Sequence, residues 1–144
     1  MSVKIKIKSS TGEIPKRETT GASGYDLKAY IKNSIILKPM EIKLIPTGIF
    51  FEIKKGYEGQ VRPRSGLSLK HAITLINAVG TIDSDYRGEI KIPLINLSDK
   101  NYEIKNGDRI AQIIFTKVID AEFVDEKITE TSRGENGFGS TGLK

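Results

Sequence analysis

Val3-Lys4-Ile5-Lys6-Ile7-Lys8 alternates apolar and charged residues without a break, the pattern of a strand with one face on a core and one in water. The same period of two recurs in short stretches down the chain. They are Ile35–Leu37, Glu41–Ile53, Tyr57–Arg62, Ala72–Val79, Glu89–Leu97, Tyr102–Ile104, Arg109–Val118 and Ala121–Val124, most of them rich in β-branched residues. Pro46-Thr47-Gly48 is expected to break the second stretch, while Lys54-Lys55-Gly56 and Asn106-Gly107-Asp108 supply turns. Ser9–Ala22 is a polar loop, after which Ala22-Ser23-Gly24-Tyr25-Asp26-Leu27 leads from small residues into a short strand. Arg62–Lys70 is the one segment of helical character, with Ser65 placed to cap it. Short period-two segments throughout predict an all-β fold, a small barrel or jelly-roll-like sandwich with at most one short helix.

Composition narrows the picture. A chain of 144 residues, 38% hydrophobic and 28% charged, is expected to form one domain with a real core. Residues 1–127 read as a single β-domain and 128–144 as a flexible, glycine-rich C-terminal lid. Cysteine is absent, which removes disulfides, thiol nucleophiles and thiolate metal sites, and the single histidine, His71, removes a multi-histidine zinc site. There is no apolar N-terminal leader and no apolar run of spanning length, so a cytoplasmic protein without a membrane partner is expected. The net charge of +5 suits an anionic ligand. The lysines, however, are scattered along alternating strands, which fits a solvated face better than a nucleic-acid stripe; no stable nucleic-acid partner is expected.

Five places carry candidate chemistry. Gly80-Thr81-Ile82-Asp83-Ser84-Asp85-Tyr86-Arg87-Gly88 lies between two apolar runs and reads as the tip of a β-hairpin. A turn has no need of the order Ile82-Asp83-x-x-Tyr86. A carboxylate beside apolar surface can hold a water and take its proton, and a tyrosine ring can pack flat on a sugar or base. Arg64 offers a planar fork to phosphate oxygens beside the backbone N–H groups of a helix start. Gln112 is a polar residue inside an apolar strand, facing either solvent or a ligand, and Asp26 is either a strand-edge turn residue or a functional carboxylate. In the tail, Arg133-Gly134-Glu135-Asn136-Gly137-Phe138-Gly139-Ser140-Thr141-Gly142 combines glycines, a cation, an aromatic ring and two hydroxyls. Without Gly-Lys-Ser/Thr or a following helix it is no Walker loop, but as a lid it can wrap phosphates and stack on a base.

Five segments in order resemble the motif set of the trimeric dUTP pyrophosphatases, or dUTPases. They are Ala22–Leu27, Pro63-Arg64-Ser65-Gly66, Asn77–Gly88, Gly107-Asp108-Arg109-Ile110-Ala111-Gln112 and Arg133–Gly142. Two departures are small: Ala22-Ser23 stands in place of Ser-Ala, and Asn136 stands where glycine is more usual. The resemblance implies the dUTPase-like β-clip fold and hydrolysis of dUTP to dUMP and pyrophosphate with Mg²⁺, which removes dUTP and supplies dUMP for dTTP synthesis. It implies Asp83 as the base that activates water toward the α-phosphorus, and Tyr86 beneath the deoxyribose, rejecting a 2′-hydroxyl. It places Asn77 and the hairpin backbone at Gly80, Thr81 and Ile82 on the uracil edge, with Lys91 among the substrate-binding residues. Arg64, Ser65, Gly66 and Gln112 would hold phosphates, and Asp26 would act on the metal side through water. Arg133, Phe138, Gly139, Ser140 and Thr141 would close over the bound nucleotide, in a homotrimer with shared active sites.

Three rivals differ in chemistry. A deoxycytidine triphosphate deaminase of the same fold needs an acid–base carboxylate at the base ring, whereas Ile82-Asp83-Ser84-Asp85-Tyr86 matches the pyrophosphatase pattern. A non-catalytic nucleotide-binding regulator has no use for Asp83, Tyr86 and a complete tail. A single-strand nucleic-acid binder needs an aromatic platform on its strands, which five Tyr and five Phe do not form here.

Overall fold

The computed structural model describes residues 2–137. Its strands are β1 (Lys6–Ser9), β2 (Tyr25–Lys28), β3 (Ile35–Leu37), β4 (Ile42–Glu52), β5 (Tyr57–Arg62), β6 (Ile73–Leu75), β7 (Gly80–Ile82), β8 (Glu89–Asn96), β9 (Tyr102–Ile104) and β10 (Arg109–Lys117). One short helix, α1 (Ser65–His71), follows β5. Two four-stranded sheets run β1-β4-β8-β6 and β2-β10-β5-β7, and β3 pairs with β9 as a small third sheet. Every ladder is antiparallel. The core is one cluster fed by both large sheets, with Ile45, Ile92 and Leu94 from the first and Leu27, Val61 and Ile113 from the second. This is the all-β, jelly-roll-like sandwich with a single short helix that period-two patterning predicts.

The strand pattern departs from expectation in three places, each for a local physical reason. β4 is not broken at Pro46-Thr47-Gly48 but runs through it with a shift of register against β8 between Pro46 and Phe50. The hydroxyl of Thr47 donates to the Ile90 carbonyl at 2.6 Å, and the Gly48 N–H donates to Glu89 Oε1 at 2.8 Å, so side chains replace the interrupted ladder. Gly48 takes φ 67°, and a Cβ there would lie 2.8 Å from the Tyr30 ring. Ala121–Val124 forms no strand. The first sheet ends on β1 and β6 and the second on β2 and β7, and this segment pairs with none of them, leaving Phe123 97% exposed.

The third departure bears on the site. The arms of the expected hairpin do pair, Ile73 with Asn96 and Leu75 with Leu94. Its tip does not stay with them. Gly80–Ile82 crosses to the other sheet and pairs with β5, Val61 opposite Gly80 and Gly59 opposite Ile82. Gly59 permits this approach, since a Cβ there would sit 3.3 Å from Ile82 Cβ and 2.9 Å from Ile113 Cδ1.

Buried Asn96 ties the far end of β8 to its surroundings. Its amide nitrogen donates to the Leu37 and Lys100 carbonyls at 2.9 and 2.7 Å, and its side-chain oxygen accepts from the Ser98 N–H and hydroxyl. Every polar atom of this side chain is used, which is the condition for burying an amide without net cost.

Helix α1 starts with Arg64 rather than Ser65 at the N-cap and has no side-chain cap, so Ser65 is already the first helical residue. At the other end Ala72 caps in the left-handed region at φ 54°, with its N–H donating to the Ser68 carbonyl at 2.9 Å. A Cβ in that conformation costs roughly 1 kcal/mol that glycine does not incur. Ala72→Gly is therefore expected to stabilise the folded chain by about 0.5–1 kcal/mol, read as a higher denaturant midpoint at unchanged slope.

Candidate active site

An inner strand of the second sheet organises a cleft. On β10, Gln112 lies opposite Asp26 of β2 on one side and Arg62 of β5 on the other. β5 then runs directly into Pro63 and α1, so the ladder brings Asp26, Arg64 and Gln112 to the same end of the sheet. A cleft of about 690 Å³ opens there, lined by Asp26, Arg64, Ser65, Gly66 and Gln112 of the expected residues.

The side chains are tied to one another. Asp26, whose carboxylate is 13% exposed, receives Arg64 Nε at 3.1 Å and Arg109 Nη1 at 3.5 Å. Arg109 Nη1 also meets Glu18 Oε1 at 2.7 Å, and Arg64 Nη1 donates to the Arg109 carbonyl at 3.3 Å. Gln112 Nε2 donates to the Pro63 carbonyl at 2.9 Å, fixing the start of α1 to β10. The Gln112 amide oxygen lies against Gly24, where an added Cβ would collide with it and come within 3.0 Å of the amide carbon. The hydrogen bond and then the charge of Arg109 hold the Glu18 carboxyl below the usual carboxylate range, and Glu18 in turn raises Arg109. Burial, and secondarily Asp108, push the Tyr102 phenol up, so it stays neutral at neutral pH.

Six titratable lining residues were not among the expected site residues: Glu18, Lys70, His71, Tyr102, Asp108 and Arg109. Arg109 sits inside the Gly107–Gln112 segment, where its charge was the available signal. Lys70 and His71 form the basic last turn of α1, with the His71 ring 5.1 Å from that of Tyr102. Glu18 carries no signal in its polar loop; only the fold brings it to Arg109.

The other expected residues stand elsewhere. Gly80 is buried, Ile82 half-buried, and Asn77, Thr81 and Asp83 are exposed; none of them lines the cleft. The Tyr86 ring folds over Gly88, where a Cβ would sit 2.8 Å from its Cε2. Its hydroxyl donates to the Glu89 carbonyl at 3.0 Å, which holds the ring while leaving it 44% exposed. Lys91 is exposed, 4.0 Å from Glu89. Because β7 runs antiparallel to β5, the chain past Ile82 moves away from Pro63. At roughly 3.3 Å per residue this separates Asp83 from the Arg64 segment by about 10 Å or more. Arg133 Nε donates to the Asn136 carbonyl at 2.9 Å, and the left-handed residue of that turn is Gly134 at φ 52°, not Asn136. Phe138, Gly139, Ser140 and Thr141 lie outside the described residues.

A metal held by protein alone is not available, since the described residues contain no group of three or more His, Cys, Asp and Glu suited to one. A Mg²⁺ ion carried by substrate phosphates needs less, one or two carboxylates and several waters. Asp26, a carboxylate on the wall of a cleft that also carries Arg64, Lys70 and Arg109, fits that smaller role.

An antiparallel β-sandwich that gathers two arginines, a glutamine and a helix start around Asp26 has the donors to take an anionic ligand such as a chain of phosphates. A family model described as dUTPase matches residues 10–142. The deoxyuridine 5'-triphosphate nucleotidohydrolase of Finegoldia magna is 59% identical over 143 residues, spanning 99% of both chains. That of Cytophaga hutchinsonii is 50% identical over 142 residues, 98% of this chain and 92% of its own. Among solved structures, a mutant of the Staphylococcus bacteriophage 80alpha dUTPase with dUpNHpp superposes with a TM-score of 0.86 at 26% identity, covering 99% of this chain and 100% of that one. This chain belongs to the dUTPase family.

Gly24→Ala is expected to displace Gln112 and with it the Pro63–Arg64 segment, lowering kcat/KM for dUTP roughly 10- to 100-fold while the far-ultraviolet dichroism stays unchanged. Steady-state kinetics on the purified variant check this.

Proposed function

We infer that this dUTPase hydrolyses dUTP to dUMP and pyrophosphate by in-line attack of water on the α-phosphorus, with Asp83 as the base. Asp83 takes the water proton as the new bond to phosphorus forms. The bond from the α-phosphorus to its bridging oxygen breaks, and pyrophosphate leaves into the arginine-lined cleft. Arg64, Ser65, Gly66 and Gln112 hold the phosphates, where positioning and charge neutralisation carry most of the catalysis. Asn77 and the backbone of Gly80, Thr81 and Ile82 read the uracil edge, Lys91 stands with the substrate-binding residues, and the half-exposed face of Tyr86 packs beneath the deoxyribose. Mg²⁺ bound with the substrate would supply charge neutralisation at the phosphates, and Asp26 is the residue that would hold it, through water. The observation that carries this reading is the cleft in which Arg64 and Arg109 meet Asp26 and Gln112, in a chain that matches the family over residues 10–142.

The same geometry supports a homotrimer with shared sites. Asp83 must reach the phosphorus next to the phosphates that Arg64 holds, yet within one chain the two are separated along β5. A neighbour's Asp83–Tyr86 segment facing this chain's cleft removes the difficulty. Every residue from Lys117 to Asn136 is exposed, including Ile119, Phe123, Val124 and Ile128, and Ile42 and Leu44 of β4 are exposed as well. So much apolar surface in water favours burial against further copies. Residues 1–127 then form the β-domain. Residues 128–144 form a lid whose Arg133, Phe138, Gly139, Ser140 and Thr141 close over a nucleotide on a neighbour. The cytoplasm is the proposed compartment; among the described residues no helix is long and apolar enough to cross a membrane.

Asp83→Asn is expected to lower kcat by about 10²- to 10⁴-fold, roughly 3–5 kcal/mol of barrier, with dUpNHpp affinity retained. Turnover within tenfold of the parent would remove Asp83 from the role of base. Shared sites have their own test. Arg64→Ala and Asp83→Asn chains, each impaired alone, should recover dUTP hydrolysis when unfolded and refolded together. Mixed trimers without recovery would place each site within one chain.

A further inference from the structure

The cleft contains a carboxylate that the phosphate-binding reading leaves without a task. Glu18 lies in the loop before β2, and its side chain is 63% exposed. Its oxygen takes Arg109 Nη1 at 2.7 Å, the short distance of a charge-assisted hydrogen bond. The same nitrogen stands 3.5 Å from Asp26 Oδ2, at the outer limit for a hydrogen bond. One guanidinium nitrogen thus faces two carboxylates and is held by the outer one. Asp26 Oδ1 is occupied by Arg64 Nε at 3.1 Å, so Oδ2 is the oxygen whose partner is loose.

We propose that Glu18 is a positioning residue that holds Arg109 off Asp26, keeping Asp26 Oδ2 open to a divalent cation arriving with the triphosphate. The inference rests on the assignment of Asp26 to the metal side made above. Without Glu18, Arg109 has one carboxylate left within reach and closes on Oδ2. Asp26 is then gripped by two guanidinium groups, its charge spent on them, and a hard cation finds a weaker oxygen donor. Glu18 also places a negative charge at the mouth of a cleft that binds a polyanion. Its removal therefore favours the metal-free nucleotide while disfavouring the metal. Opposite effects on two ligands at one site separate this role from loss of fold, which weakens both, and from an idle surface ion pair, which changes neither.

The test is direct binding of Mn²⁺ to the full-length protein saturated with dUpNHpp, followed by the electron paramagnetic resonance signal of free Mn²⁺. Dissociation constants for metal-free dUpNHpp are measured alongside by calorimetry. Glu18→Gln is expected to weaken Mn²⁺ about tenfold, the low end for a partner of a metal-side residue, and to leave metal-free dUpNHpp as tight or tighter. In an Arg109→Gln background the same substitution should do nothing further to Mn²⁺. Unchanged Mn²⁺ affinity in Glu18→Gln, or the same loss with Arg109 already removed, overturns the proposal. Asp26→Asn is the control on its premise. If that change leaves Mn²⁺ binding intact, the assignment of Asp26 fails; if it weakens Mn²⁺ and Glu18→Gln does not, the role of Glu18 alone fails.

Discussion

The pairing of Gln112 with Asp26 on one side and Arg62 on the other is the constraint from which the cleft follows. A residue in the middle of a sheet has two cross-strand neighbours, and here both lead into chemistry. Asp26 lies on one neighbouring strand, and Arg62 hands the chain to Pro63, Arg64 and the helix start. Because ladder hydrogen bonds set these positions, the cleft rests on backbone geometry, and its side chains need only short-range ties. The Gln112 bond to Pro63 and the Arg64 bond to Asp26 are those ties. Slipping β10 by one residue would turn Gln112 to the opposite face and dismantle both.

The crossing of Gly80–Ile82 from one sheet to the other has an equally large consequence. Paired with β6 and β8 alone, the Asp83–Tyr86 segment would be a swinging turn. Paired with β5, it is anchored in a rigid sheet, and Tyr86 is further held by its hydroxyl bond to the Glu89 carbonyl. Rigidity and separation come together. The strand that steadies Asp83 also carries it away from Arg64, so a single chain presents the two segments on separate surfaces. In the proposed trimer, association of copies would bring the two together without any loop having to move far.

The apolar side chains outside the core fit the same account. Ile119, Phe123, Val124 and Ile128 lie on a segment that is exposed throughout among the described residues, and Ile42 and Leu44 point outward from a sheet whose inner face is already full. Such residues are costly in a lone monomer and would be useful in the proposed trimer, where they could be covered by further copies.

Much of this was legible in the residues. Alternation of period two located β3, β5, β9 and β10 closely, because a strand with one buried face must alternate whatever its partner. The motif segments that resemble those of the dUTPases named Asp26, Arg64, Ser65, Gly66 and Gln112, which do meet in one cleft. What the sequence could not decide was which edges pair. The continuity of β4 through Pro46, the transfer of Gly80–Ile82 to the other sheet and the missing strand at Ala121–Val124 all depend on neighbours distant in the chain. Glu18 makes the same point at the level of one side chain. In the sequence it is an acidic residue in a polar loop. Its meaning comes from Arg109, ninety-one positions later (109 − 18), and only tertiary structure sets the 2.7 Å between them.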